Sequence, residues 1–137
     1  MAGELLLDTG ALVSILDRSQ KQHQAFADFF GNWPHEVVTT EAVVTESTHL
    51  LGRVRGGSIA CLDFVLAGGA VLVPLGQAAL RRSRELMEQY ADCPMDFADA
   101  TLIVLAEDLK TTTILTTDRK DFSVYRIAGR RRFAIPV

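Results

Sequence analysis

An α/β fold, a mainly parallel sheet of four to five strands with helices over both faces, is what this 137-residue sequence predicts. Two observations carry the prediction. Short apolar, strand-type runs alternate along the chain with longer runs of helical period. Acids also stand just beyond the first and fourth strand runs, where parallel sheets build their sites.

Leu5-Leu6-Leu7 reads as a short buried strand, and Asp8-Thr9-Gly10 leads from it into a helix carrying Ala11, Leu12, Ile15 and Leu16 inward. Residues 20 to 30 bring Ala25, Phe26, Phe29 and Phe30 to helical spacing, and Gly31-Asn32 closes that helix. Glu36 to Thr39 is the second strand. A helix follows from Thr40, because Ala42, Val43, Ser47, Leu50, Leu51 and Val54 recur with its period. Arg55-Gly56-Gly57 breaks the pattern, and Ser58 is placed to cap a further helix through Cys61, Leu62, Phe64 and Val65. Ala70 to Pro74 is the third strand. Residues 77 to 91 form a charged helix with Ala79, Leu80, Leu86, Met87 and Tyr90 inward, and Asp96 opens an almost wholly apolar helix from Phe97 to Glu107. Thr113 to Thr117 is the fourth strand, and Val124 to Arg126 and Phe133 to Ile135 are short terminal strands.

The chain is long enough to bury one core, and its composition, 48% hydrophobic and 23% charged, is that of a soluble single domain spanning residues 1–137. No run is long enough to span a membrane, and the start lacks the basic and apolar regions of a signal peptide, so the expected location is cytoplasmic. The two cysteines, Cys61 and Cys93, and the scattered His23, His35 and His49 make no zinc spacing. A net charge of −3 argues against indiscriminate nucleic-acid binding, yet Arg119, Lys120, Arg126, Arg130, Arg131 and Arg132 crowd the last stretch against Asp121 alone. A basic edge of this kind suits a polyanionic substrate; it suits a solvated tail equally well.

Four acids carry the chemistry. Asp8 and Asp118 follow the first and fourth strands, so a parallel sheet puts both on one edge. Glu46 has Ala42, Val43 and Leu50 a turn away, and Asp99 is bracketed by Leu102, Ile103 and Ala106, so both leave the core side of a helix. Asp8 could serve only as a helix cap and Asp118 only as a turn residue, but capping suits Glu46 and Asp99 poorly. Burying an unpaired carboxylate costs several kcal/mol, so four of them from four elements are expected to converge on a cation. Oxygen-only ligands favour Mg²⁺ or Mn²⁺ over zinc. Asp96, at the opening of its helix, divides between an N-cap and the metal site.

Four segments, LLLDTGALVSIL at 5 to 16, VVTTEAVVTESTHLL at 37 to 51, MDFADATLIVLAE at 95 to 107 and ILTTDRKDFSVYR at 114 to 126, resemble the PIN-domain family, and within it the ribonuclease toxins of the VapC type. The resemblance implies a PIN-like three-layer α/β/α sandwich and makes Asp8, Glu46, Asp99 and Asp118 the family's acidic quartet. It gives Asp96 and Asp121 as additional acids, and Thr9 and Thr117 as hydroxyl residues beside the first and last aspartates. The implied activity is hydrolysis of RNA phosphodiesters with Mg²⁺ or Mn²⁺. Arg119, Lys120, Arg130, Arg131 and Arg132 are candidates for gripping flanking phosphates. The implied partners are a small antitoxin and a second copy of the chain, with the helices around 58 to 67 and 77 to 90 as surfaces for either. Still open at this point are a PIN nuclease of RNA processing without an antitoxin, and a non-catalytic nucleic-acid or protein-binding module. A phosphoacceptor receiver or aspartyl phosphatase fits less well, because Thr9 follows Asp8, position 10 is Gly and the third strand ends in Pro74-Leu75-Gly76.

Overall fold

The computed structural model describes residues 3–137. Its central sheet has four strands, all parallel, in the order β3-β2-β1-β4: β1 is Leu5–Leu7, β2 Val37–Thr39, β3 Val71–Leu72 and β4 Ile114–Leu115. Helices flank it, giving the α/β/α arrangement. Strand β1 lies between two neighbours, and its three leucines are wholly buried, which is why it reads as an unbroken apolar run. Leu7 pairs with Leu115 in this register, so the residues just beyond them, Asp8 and Thr116, meet at the carboxyl edge.

The helices are α1 (Thr9–Leu16), α2 (His23–Asn32), α3 (Glu41–Leu51), α4 (Gly57–Leu66), α5 (Gln77–Gln89), α6 (Phe97–Leu109) and α7 (Arg119–Val124). Buried residues run without interruption from Ala98 to Ala106 in α6, so this helix is an axis of the core. Phe122, Tyr125 and Phe133 pack edge to face beside it, with Tyr90 on the far side of Tyr125. Among the described residues, no helix is long and apolar enough to cross a membrane.

Several sequence expectations need correction. α2 closes on Gly31 and Asn32 as expected, but both lie inside the helix and Trp33 is the C-cap. Ser58 does not cap α4; Gly56, at φ 70°, does, and Ser58 Oγ donates instead to the Thr48 carbonyl at 2.8 Å. Leu80 is 56% exposed because Ser83 and Leu86 hold the inward stripe of α5. Val71 and Leu72 are exposed on an edge strand. The terminal strands are β5 (Arg126–Ile127) and β6 (Arg131–Arg132), an antiparallel ribbon separate from the main sheet. Val124 ends α7, a helix whose charged start had read as a turn, and Ala134 makes only an isolated parallel bridge to Thr113.

Gly57 supports the α3–α4 packing. A Cβ there would run into the backbone carbonyl of Leu51, which cannot rotate away, whereas a Cβ on Gly31 meets open space. Gly57→Ala is therefore expected to lower unfolding stability by about 1–3 kcal/mol in urea denaturation, and Gly31→Ala to hold it or raise it by about 0.5 kcal/mol.

Candidate active site

Asp8 is the innermost of the four acids, only 6% exposed. It ends β1 and caps α1: Oδ1 accepts the Thr9 N–H at 2.8 Å, and Oδ2 accepts the Thr116 hydroxyl at 2.6 Å. Capping and site-building are thus one geometry, because the strand-to-helix turn at a carboxyl edge aims an extended N-cap side chain at the helix's free N–H groups. Thr116 Oγ1 also accepts the Asp118 N–H at 2.9 Å, so one hydroxyl ties the first acid to the last. Asp118 caps α7 through the Asp121 N–H at 3.2 Å.

The helical acids reach the same edge. Thr9 Oγ1 donates to Glu46 Oε1 at 2.8 Å, joining α1 to the middle of α3. Asp96 and Asp99 form a capping box at the start of α6, with Asp99 N–H donating to Asp96 Oδ1 at 2.9 Å and Asp96 N–H to Asp99 Oδ2 at 3.4 Å. Asp99 thus shares in capping its helix, contrary to the expectation that capping suits it poorly. Buried Tyr125 directs its hydroxyl at Asp99 Oδ2, 3.4 Å away.

Thr117 is exposed and lies over Gly10, where any Cβ would strike its side chain. Residues missed in the sequence are Thr116 and Tyr125. The TTD triplet offered two hydroxyls, and only the pairing of Leu7 with Leu115 shows that Thr116 is the one beside Asp8.

Charge and burial oppose each other here. Burial drives the Asp8 pKa up to about 6; its two hydrogen bonds resist, while Asp96 and Asp118 add to the rise. Asp99 is raised further, first by burial and then by Asp8 and Asp96. Burial also raises Glu46, against the Thr9 hydrogen bond and with help from Asp96. Asp121 is raised by burial and by Asp118, with Lys120 opposing. Tyr125, buried and facing Asp99, is held well above its ordinary value and stays a neutral donor. Among the described residues, no ion pair reaches any of these acids; the pairs formed involve Asp17, Glu85, Glu88 and Glu107.

The donor set fits a hard divalent cation: every candidate donor atom is oxygen, and apart from Lys120 beside Asp121 no neighbouring side chain supplies the positive charge that would lower these pKa values. It is not a ready-made cage, since among the described residues no three His, Cys, Asp or Glu side chains are grouped closely enough to grip an ion. Glu46 and Asp96 share an open cleft of about 520 Å³ with Glu41, Ala42, Thr45 and Phe97. A larger groove of about 710 Å³, between α5 and the start of α6, contains none of the four acids, so chemistry rather than volume picks out the site. Arg119 and Lys120 are exposed on the first turn of α7, next to Asp118. Arg130, Arg131 and Arg132 lie on the β5–β6 ribbon, held to the opposite end of α6.

A family model described as PIN domain matches residues 5–128. The chain is 30% identical to Ribonuclease VapC26 of Mycobacterium tuberculosis over 133 residues, 96% of this chain and 98% of that one. Its fold is similar to that of VapC20 of M. tuberculosis, a toxin cleaving the sarcin-ricin loop, with a TM-score of 0.78 at 18% identity over 85% of this chain and 91% of that one. It is also similar to VapBC2 from Rickettsia felis bound to a DNA fragment from its promoter, with a TM-score of 0.61 at 14% identity over 87% and 90% of the two chains.

A carboxylate whose pKa is raised by folding adds its full stability only below the unfolded pKa and loses it as pH climbs through the folded value. For Asp8 the loss runs from about pH 4 to above 6 and is on the order of 3 kcal/mol. Asp99 is shifted in the same direction. In chelator at about pH 7.5, Asp99→Asn should therefore melt above the wild type, and the difference should vanish by about pH 4. Differential scanning fluorimetry across that range checks it.

Proposed function

The chain belongs to the PIN domain family, and from that premise we propose that it is a ribonuclease toxin, hydrolysing RNA phosphodiester bonds with Mg²⁺ or Mn²⁺ and held in check by a small antitoxin protein. The observation that supports this best is the meeting of Asp8, Glu46, Asp99 and Asp118 at one carboxyl edge without a basic partner among the described residues. Asp8 and Asp99 are the firmest ligands, and Glu46 and Asp118 complete the set. A divalent ion, when bound there, lowers the pKa of water and offsets charge growing on phosphate oxygens.

The protein's own groups hold that constellation in place. Thr116 fixes Asp8 relative to Asp118, and the Thr9 N–H and hydroxyl fix Asp8 and Glu46 from one residue. Tyr125, always protonated, offers Asp99 a hydrogen bond from the dry side. Asp96 caps α6, Asp121 lies in the first turn of α7, both add negative charge at the rim, and Thr117 sits at the rim over Gly10. Arg119 and Lys120 are placed to meet phosphates flanking the scissile bond. The antitoxin is supported by the likeness to the VapC proteins. Apolar side chains left exposed on α4 (Ile59, Leu62, Leu66) and on α5 (Leu80) offer faces for it and for a second copy of the chain, the expected homodimer.

Purified protein should cut a mixed pool of structured RNA with Mg²⁺ or Mn²⁺ and not in EDTA, and an Asp8→Asn/Asp99→Asn double variant should lose more than about 100-fold in rate. Cutting by that variant at the wild-type rate would place the centre elsewhere. Thr116→Val removes the hydroxyl and keeps the shape, and is expected to lower kcat about 10–100-fold, with Thr116→Ser restoring most of it.

A further inference from the structure

The β5–β6 ribbon bears four arginines. Arg126 stands directly opposite Arg132, and Ile127 opposite Arg131. Like charges facing each other across a ribbon repel, and among the described residues none of the four is ion-paired with an acid. Arg126 is already engaged: its Nη1 donates to the carbonyls of Ser123, Val124 and Tyr125 at 2.8, 2.8 and 3.1 Å, closing the end of α7. Arg130, Arg131 and Arg132 are exposed and uncompensated.

Three elements nonetheless hold this ribbon in one shape. Its turn, Ala128-Gly129, has both residues at positive φ, 52° and 74°, and closes with Arg130 N–H on the Ile127 carbonyl at 3.2 Å. That primed geometry suits a hairpin and comes freely to glycine, but not to alanine. Ala128 N–H donates to Glu107 Oε2 at 3.1 Å, and Glu107 is gripped in turn by Arg82, Nε to Oε1 at 3.0 Å and Nη2 to Oε2 at 2.9 Å. The forked Arg82 pair from α5 fixes the carboxylate on α6, and the carboxylate fixes the turn. A ribbon of two residues per strand has little stability of its own. The fold thus anchors a strained turn to display charges that repel one another.

Glu107 follows Asp99 by eight residues on α6, a rise of about 12 Å along the helix. A phosphate bound at the ribbon is therefore not the one being cut. We propose that Arg130, Arg131 and Arg132 form a second surface for the phosphodiester backbone of RNA, remote from the acidic centre, with Glu107 and Arg82 as positioning residues acting through Ala128. The proposal builds on the ribonuclease reading. Contact there is to backbone alone, so it adds affinity without reading sequence.

The test measures binding of a labelled RNA hairpin in EDTA over a salt series, beside cleavage in Mg²⁺ or Mn²⁺. An Arg130→Gln/Arg131→Gln/Arg132→Gln variant should bind more than about tenfold more weakly at low salt, with the salt slope reduced by about one for each phosphate no longer held. Its cleavage defect should fall on KM rather than kcat. Glu107→Ala should weaken binding several-fold, and adding Ala128→Gly, which frees the turn from strain, should recover it. A merely structural Glu107 would lower Tm and leave the salt slope unchanged. Unchanged slope and affinity in the triple variant would overturn the proposal. So would a wild type that does not bind RNA, or equal displacement of the RNA by duplex DNA. A wild type that binds RNA and fails to cut, with binding still lost in the triple variant, leaves the ribbon surface standing and removes the nuclease reading instead.

Discussion

The carboxylate of Asp8 sits at the end of a strand made only of buried leucines, and the rest of the site is arranged around keeping it there. Desolvation pushes it towards its neutral form, and two short hydrogen bonds recover part of that cost. Neither bond supplies charge. The neighbours that approach, Asp96, Asp99 and Asp118, carry the same sign and make matters worse. On our reading, a protein that gathers like charges at the dry edge of its sheet is arranged for an ion, and the PIN-domain membership of the chain ties that ion to RNA chemistry.

Capping economises on residues here. Asp8, Asp96 and Asp118 each begin a helix, and the same backbone N–H groups that hold these side chains keep them on one edge of the sheet. Two threonines cross-link the elements: Thr116 joins β4 to Asp8, and Thr9 joins α1 to Glu46 of α3. A buried hydroxyl pair, Thr40 with Thr101 at 2.9 Å, ties the start of α3 to α6 beneath the site. Helices that carry acids are thus fixed to one another by polar bonds as well as by packing.

Much of this was legible in the sequence because the local signals agree. The triple leucine, the acids after strands, and the helical periods around Glu46 and Asp99 all point to one α/β edge. What was not legible depends on register and on distant partners. Thr116 and Thr117 look alike until the pairing of Leu7 with Leu115 separates them. Tyr125 sits 26 residues from Asp99, in a segment that reads as strand, and α7 hides behind a charged start. The Arg82–Glu107–Ala128 chain links three elements that no local pattern relates. Leu80 looked like a core residue because periodicity reports a helix face and not what covers it.

The most direct test is a carbon-13 NMR titration of the Asp8 and Asp99 side-chain carboxyls, in chelator and again with Mg²⁺. Apparent pKa values well above the ordinary aspartate range in chelator, falling to or below it when Mg²⁺ is added, are the expected result. Ordinary values that do not respond to Mg²⁺ would contradict the claim that these buried acids form a divalent-metal centre.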